Sequence, residues 1–327
     1  MQAWQVTALG EPIDVLRLGE VPEPEAGPGQ VAVRVRAAAA NFPDVLMARG
    51  LYQVRPPLPF TPGIEACGDV VAVGEGVTHV AVGDRVLGGA EIPTGSFADV
   101  TLMSGTDTFL APDSLDDAQA ASLHLAYQTG WFGLHRRARL QAGETLLVHA
   151  AAGGVGSAAV QLGKAAGARV IAVVGSAEKV AVAEALGADV VVDRTQENFV
   201  SVVKDVTGGR GADVVYDPVG GAAFTGSTKC IAFEGRIVVV GFTSGEIPSP
   251  ALSHALVKNY SIVGLHWGLY RTLGVDLVHA AYADLARLSD EGLISPLVSE
   301  RIALDAVPDA LQRLAAGTTT GRVVYVA

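Results

Sequence analysis

TLLVHAAAGGVGSAAVQLGKAAGARVIAVVGSAEK, residues Thr145 to Lys179, decides the fold of the second half of the chain. Leu146-Leu147-Val148 is a short apolar run that reads as a buried strand. A turn of small residues follows, Ala151-Ala152-Gly153-Gly154-Val155-Gly156. A helical stretch then runs to Ala166, a Gly-Ala pair breaks it, and a second apolar run covers Val170 to Val174. Strand, glycine turn, helix and strand make a βαβ unit. In that setting a glycine turn binds a dinucleotide. Helix-start amides and the helix dipole favour the pyrophosphate, and missing side chains let it approach. Ala151 stands where the first glycine of G-x-G-x-x-G belongs, so a purely structural turn is the competing reading. The flanking elements favour the cofactor, with Gly153, Gly154 and Val155 as candidate contacts.

The second strand says which dinucleotide. A site for NAD usually ends that strand with Asp or Glu, which accepts from the ribose 2′-hydroxyl. Here the strand ends Val173-Val174-Gly175-Ser176 with no carboxylate, and Lys179 lies within one turn of the helix that Ser176 would cap. A hydroxyl and an ammonium suit a 2′-phosphate. Glu178 between them works against that reading, and a plain capping serine beside a solvated lysine is the alternative. Arg194, after Val190-Val191-Val192-Asp193, supplies a second cation. NADPH is the expected cofactor.

Outward from this unit the alternation continues. Strands are expected near 146–149, 170–174, 190–193, 213–216, 236–241 and 260–265, with helices near 156–166, 178–186, 197–206, 222–231 and 251–258. That rhythm implies a doubly wound parallel sheet of Rossmann type in an α/β chain. The first part, to about Asp113, is β-like: 31–36 alternates with period two, and further strands are expected at 65–73, 83–88 and 96–103. A long helix near 273–291, a short one near 305–316 and a strand over 322–326 break the alternation and are expected to return to the first domain. The expected boundaries are a β-rich first domain over 1–121, a nucleotide-binding domain over 122–263 and a return segment over 264–327.

The bulk properties exclude several classes. The chain has 327 residues, half of them hydrophobic, and a net charge of −11. The acidic balance argues against broad nucleic-acid or anionic-membrane binding. No apolar run approaches the roughly 20 residues that span a bilayer. MQAWQVTALGEP lacks a basic region followed by an apolar stretch, and Cys67 and Cys230 form no disulfide framework, so a cytoplasmic setting is expected.

Further motifs accompany the turn: Ala177-Glu178-Lys179 with Leu186-Gly187-Ala188, Asn41-Phe42-Pro43-Asp44 with Arg49-Gly50-Leu51-Tyr52, Pro62-Gly63-Ile64-Glu65 and Gly83-Asp84-Arg85-Val86. Together, end to end, the chain resembles the zinc-free, zeta-crystallin-like quinone oxidoreductase branch of the medium-chain dehydrogenase/reductase superfamily. The resemblance implies a GroES-like catalytic domain, a Rossmann domain, an active site in the cleft between them, and a homodimer joined edge to edge through the cofactor-domain sheets. The zinc-containing alcohol dehydrogenases of that superfamily carry a Cys where this chain has Asn41, a His where it has Ile64, and a Cys at about Leu125. An amide and two aliphatic groups do not form a three-ligand zinc site. The four-cysteine lobe is absent as well, since 87–100 holds no Cys. No metal is expected. His124 beside the lost third ligand reads as packing, and Cys67 as a buried small hydrophobe rather than a nucleophile.

Without a Lewis acid, hydride must go to an acceptor that spreads charge by itself, such as a quinone or an α,β-unsaturated carbonyl. The resemblance assigns the remaining roles. Tyr52 is the proton donor of related enoyl thioester reductases, or else an aromatic lid. Asn41 hydrogen-bonds cofactor or acceptor, or is a buried turn amide. Thr129 contacts the nicotinamide ribose; Gly241, Phe242 and Thr243 pass beneath the cofactor. Gly264 and Leu265 meet the carboxamide, and Arg322 approaches a phosphate. His266, Trp267 and Tyr270 line the acceptor pocket or pack at an interface. The expected function is NADPH-dependent quinone reduction. The alternatives are enone or enoyl thioester reduction and a cofactor-binding protein without turnover.

Overall fold

The computed structural model describes residues 1–327. Strands β1 (Gln2–Val6) and β2 (Leu16–Glu20) pair antiparallel around the short helix α1 (Pro12–Val15). Next come β3 (Gln30–Ala39), α2 (Phe42–Ala48), β4 (Ala66–Val73), β5 (Arg85–Ala90) and β6 (Val100–Leu110). Each of these strands pairs antiparallel with the next, and β6 returns to β3, which closes a barrel. Closure leaves these four strands without a free edge among themselves. Val31, Val33 and Val35 point inward with Phe60, Val70, Val86 and Met103, while Arg34 and Arg36 face outward. The period of two read from the sequence is therefore the barrel's inside and outside.

Helix α3 (Asp117–Trp131) runs on into a π-helical segment, Phe132–Arg137, and leads to the second unit. There β7 (Thr145–Val148), α4 (Gly154–Ala165), β8 (Arg169–Val174), α5 (Glu178–Ala185), β9 (Val190–Asp193), α6 (Phe199–Val206), β10 (Ala212–Asp217), α7 (Gly221–Cys230), β11 (Ile231–Val239), α8 (Leu252–Lys258) and β12 (Ser261–Gly264) alternate. The strand order is β12-β11-β10-β7-β8-β9, and every pairing is parallel. Chain order thus reverses between β7 and β10, the switch point at which such sheets bind ligands beyond the strands' carboxyl ends. Leu146, Leu147, Val148, Val170, Ile171 and Ala172 are fully buried, as parallel strands covered on both faces require.

The chain closes with α9 (Tyr270–Leu273), α10 (Val275–Asp290), β13 (Val298–Ile302), α11 (Val307–Ala315) and β14 (Arg322–Val326). Strand β14 joins β3 antiparallel and carries β13 on its other side. One unit comprises 1–125, 274–282 and 295–327; the other comprises 126–273 and 283–294. Residues 264–273 and 283–294, expected to return with the tail, group instead with the parallel sheet. No helix is long and apolar enough to cross a membrane.

Candidate active site

Because the sheet is parallel, the segments after all six strands emerge at one edge. They include the turn at 149–153, Gly175-Ser176, Arg194, Gly241 to Thr243, and Gly264-Leu265. The turn after β7 is tight. Ala150 has φ +50°, and Gly153 caps α4 with extended backbone. Gly156 is the position where no side chain fits: a Cβ there would lie 2.1 Å from the Ala150 carbonyl oxygen. The helix can therefore start directly over the end of β7, with its first-turn amides lacking intrahelical partners. The sequence reading placed the contacts at Gly153, Gly154 and Val155, and the structure half-buries all three at this helix start. Gly163 repeats the device about two turns later on the same helix face, where a Cβ would meet Leu146 Cδ2 at 2.5 Å.

Beyond β8, the structure gathers Gly175, Lys179 and Arg194. A Cβ on Gly175 would lie 3.3 Å from Arg194 Nη2 and 3.4 Å from its Nε, so the guanidinium lies across the glycine. Partial burial first, and then the charge of Arg194, hold the Lys179 ammonium below its ordinary pKa, with Glu178 opposing. Two cations held together are a ready anion site. Ser176 departs from expectation. Helix α5 is capped by Ala177, in helical conformation and with no side-chain bond, while the Ser176 carbonyl accepts from the Lys179 amide at 3.1 Å. The helix starts one residue later than the Ser–x–x–Lys spacing suggested.

The remaining edge segments are laced to their neighbours. Thr243 N–H donates to the Pro218 carbonyl at 3.1 Å, and Leu265 N–H to the Val239 carbonyl at 3.0 Å. Phe242 and Thr243 are exposed, and Gly241 is half-buried. Thr129 is half-buried on α3, next to Gly130, where a Cβ would meet Leu162 Cδ1 of α4 at 2.7 Å. The Tyr270 ring lies tilted against Phe132 with ring centroids 4.2 Å apart; Trp267 is buried and His266 exposed.

In the barrel unit, Asn41, Glu65 and Arg322 form one buried cluster. Asn41 Nδ2 donates to the Ala39 carbonyl at 3.0 Å and to Glu65 Oε1 at 2.9 Å, and its Oδ1 accepts from Arg322 Nη1 at 2.9 Å. Glu65, fully buried, also pairs with Arg322 Nη2 and accepts from the Leu125 amide at 2.8 Å. Both amide hydrogens of Asn41 are used inside the protein, as in the buried-turn alternative for this residue. Arg322, expected at a phosphate, is buried here as the counter-ion of Glu65. A carboxylate taken out of water needs such a partner.

Asp44 completes the cluster. Its carboxylate accepts from the amides of Asn41 and Gly63, each at 2.9 Å. Burial pushes its pKa up to about 7 against these bonds, and the charge of Glu65 adds to the rise. The sequence alone assigns no role to Glu65 or Asp44. The Asn-x-x-Asp spacing of a helix start was the available signal for Asp44. His124 pairs with Asp107 at 3.1 Å inside the barrel unit, both buried. The Cys67 thiol is buried and pushed up to about 12 by that burial. No group of three His, Cys, Asp or Glu side chains is arranged to hold a metal ion.

Tyr52 is half-buried and packs on the barrel core. Its segment is anchored by Arg49, which forks onto Glu11 at 2.9 and 2.7 Å, and by Gly50 at φ +69°, where a Cβ would meet Leu9 Cδ1 at 2.8 Å.

Residues 27–113 match the alcohol dehydrogenase GroES-like domain, and residues 154–280 match the zinc-binding dehydrogenase domain. A quinone oxidoreductase-like protein 2 homolog from Nematostella vectensis is 41% identical over 300 residues, covering 91% of this chain and 82% of that protein. The Escherichia coli quinone oxidoreductase, solved in complex with NADPH, is 30% identical with a TM-score of 0.93 and full coverage of both chains, 100% each. The enoyl reductase CurK is 26% identical with a TM-score of 0.89, covering 99% of this chain and 98% of its own.

Proposed function

The chain belongs to the quinone oxidoreductase branch of the medium-chain dehydrogenase/reductase superfamily, and on that premise we propose that it is an NADPH-dependent oxidoreductase passing hydride to a quinone without zinc. One observation carries the cofactor assignment. Lys179 and Arg194 are gathered at Gly175, and the end of β8 offers no carboxylate. A 2′-phosphate is the group such a pair recognises. The fit extends to the turn after β7, where Gly156 lets the backbone of α4 come close and its first-turn amides receive a pyrophosphate.

When bound, NADPH supplies the hydride. The chain's own residues do the holding. Gly153, Gly154 and Val155 take the pyrophosphate, and Thr129, Gly241, Phe242, Thr243, Gly264 and Leu265 the nicotinamide half. A quinone spreads the incoming charge over its ring, so no Lewis acid is needed. The zinc-free reading is supported by Asn41, Ile64 and Leu125 in the ligand positions, and by a Glu65 carboxylate already satisfied by Arg322, Asn41 and the Leu125 amide.

Enone or enoyl thioester reduction is the second reading. It is favoured by Tyr52, a phenol on an anchored segment, and by the likeness to CurK. A homodimer is part of the proposal. Strand β12 is one of the two unpaired edges of the parallel sheet, β9 being the other, and Leu252, Leu256 and Val257 on the helix before β12 are 76–78% exposed. An open apolar edge of this kind invites pairing with a second copy. A cytoplasmic setting agrees with two free, buried thiols.

The test is NADPH oxidation with a panel of quinones and enones, with NADH in parallel and elemental analysis of the purified protein. Faster turnover of NADPH with a quinone supports the proposal. One tightly held zinc per chain, lost together with activity, contradicts it. Cofactor binding with no turnover on any acceptor leaves a binding protein.

A further inference from the structure

The π-helical segment Phe132–Arg137 continues α3 without a break, and the Ala138 amide donates to the Gly133 carbonyl five residues back, at 2.9 Å. Such wide turns have poorer backbone geometry than an α-helix and persist mostly where they place particular groups. This one meets the end of β12 and the segment that follows it at three points. Arg137 Nε donates to the Gly264 carbonyl at 3.0 Å. A Cβ on Gly133 would lie 2.9 Å from Tyr216 Cε2 and 3.4 Å from Leu265 Cδ2. The rings of Phe132 and Tyr270 are 4.2 Å apart.

The peptide between Gly264 and Leu265 is consequently held from both ends. Its carbonyl accepts from Arg137, and its N–H donates to the Val239 carbonyl at 3.0 Å. Rotation of that peptide plane breaks one bond or the other. Tyr216 is fully buried in β10, so its ring has no room to yield to a side chain at position 133.

We propose that the π segment is a positioning device for the nicotinamide end of the cofactor site, acting through Gly133 and Arg137 on Gly264 and Leu265. The inference rests on the NADPH reading above and adds residues that act through others, so both are positioning residues. Gly133 sets how closely the wide turn approaches, and Arg137 fixes the plane of the peptide.

The experiment compares binding of NADPH with binding of 2′,5′-ADP, which carries the phosphorylated adenosine half and no nicotinamide. Wild type, Gly133→Ala, Arg137→Ala and Arg137→Lys are measured, with kcat on 1,4-benzoquinone alongside. Loss of one such hydrogen bond weakens binding by about three- to tenfold. NADPH affinity should fall by that factor in Arg137→Ala and further in Gly133→Ala, with kcat falling as well. Affinity for 2′,5′-ADP should stay at the wild-type value, and Arg137→Lys should recover most of the loss. The neighbouring exposed Arg136→Ala controls for charge. Parallel weakening of NADPH and 2′,5′-ADP overturns the inference, as does unchanged NADPH affinity and kcat in Arg137→Ala. Arg137 is exposed, so its variants decide the matter even where Gly133→Ala fails to fold. A wild type that binds neither ligand overturns the NADPH reading itself, and this inference with it.

Discussion

Arg322 Nη1 donates to Asn41 Oδ1 at 2.9 Å across 281 residues of chain, and the same guanidinium neutralises Glu65. All three side chains are buried. The contact ties the last strand of the barrel unit to the start of α2, and it keeps an ionised carboxylate in a place with no access to water.

Removing the cation should therefore cost more than removing the amide. Breaking a buried pair from one side typically costs about 3–5 kcal/mol, and leaving a buried polar group unsatisfied about 1–3 kcal/mol. Urea unfolding of Arg322→Ala is expected in the first range and of Asn41→Ala in the second. A loss below about 1 kcal/mol for Arg322→Ala would mean that the pair is not formed as described.

Acid sensitivity should trace in part to His149. Its Nε2 meets Ser227 Oγ at 2.8 Å, and because that hydroxyl donates to the Ala223 carbonyl at 2.8 Å, Nε2 carries the ring proton. Burial holds the imidazole down to a pKa of about 4. The unfolded chain then binds the extra proton more readily than the folded one between about pH 6.5 and 4. Stability from the neutral ring is fully present above pH 6.5 and is lost as pH falls toward 4, by up to about 3 kcal/mol. Asp44 acts in the opposite sense, because its raised pKa of about 7 makes the fold gain stability as pH falls from there. The two partly cancel in the wild type. His149→Gln should remove the acid-sensitive component and leave the Asp44 gain unopposed, so between pH 7 and pH 4.5 the variant's stability should shift upward relative to the shift in the wild type. Identical pH profiles for the two proteins would exclude His149 as the source.

The parts of this molecule legible in the sequence are those set by local pattern. The β7–α4–β8 unit follows from apolar runs, a glycine turn and a Gly-Ala break, and the period-two alternation at 31–36 marks the inside of the barrel. Gly156 and Gly163 were visible as letters, but the carbonyl and side chain that exclude a Cβ there were not. The pairing of Arg322 was not legible because its partners lie 281 and 257 residues away, and nothing local marks a buried counter-ion. The π segment reads FGLHRR, which has no feature separating it from an ordinary helix end. Ser176 misled because a good capping residue was available and the helix began after it.

Cofactor choice should respond to Lys179. Losing a contact to a charged group typically removes about 1.5–3 kcal/mol, roughly tenfold to a hundredfold in affinity. Lys179→Ala is expected to weaken NADPH by that factor and NADH far less, as read by fluorescence titration. Arg194→Ala should do the same, because its guanidinium lies across Gly175. Equal weakening of both cofactors, or a wild type preferring NADH, would remove the 2′-phosphate assignment.

The acceptor should be decided by Tyr52. A quinone reduced by hydride becomes a phenolate, already stabilised, which can take its proton from water. An enone or enoyl thioester becomes a more basic enolate, for which a positioned acid matters more. General-acid assistance is typically worth ~10²–10⁴-fold. Tyr52 is half-buried on a segment pinned by the Arg49–Glu11 fork and by Gly50 over Leu9, so Tyr52→Phe should leave that segment in place. The variant is expected to retain quinone reduction. A strong loss of enone reduction would identify the phenol as a donor. Equal enone activity in both proteins would mean that Tyr52 only packs. Assaying both acceptor classes at saturating NADPH, with cofactor affinity measured separately, distinguishes these outcomes from a binding defect. Loss of both activities with unchanged NADPH affinity would place Tyr52 in acceptor positioning and count against water as the proton source for the quinone.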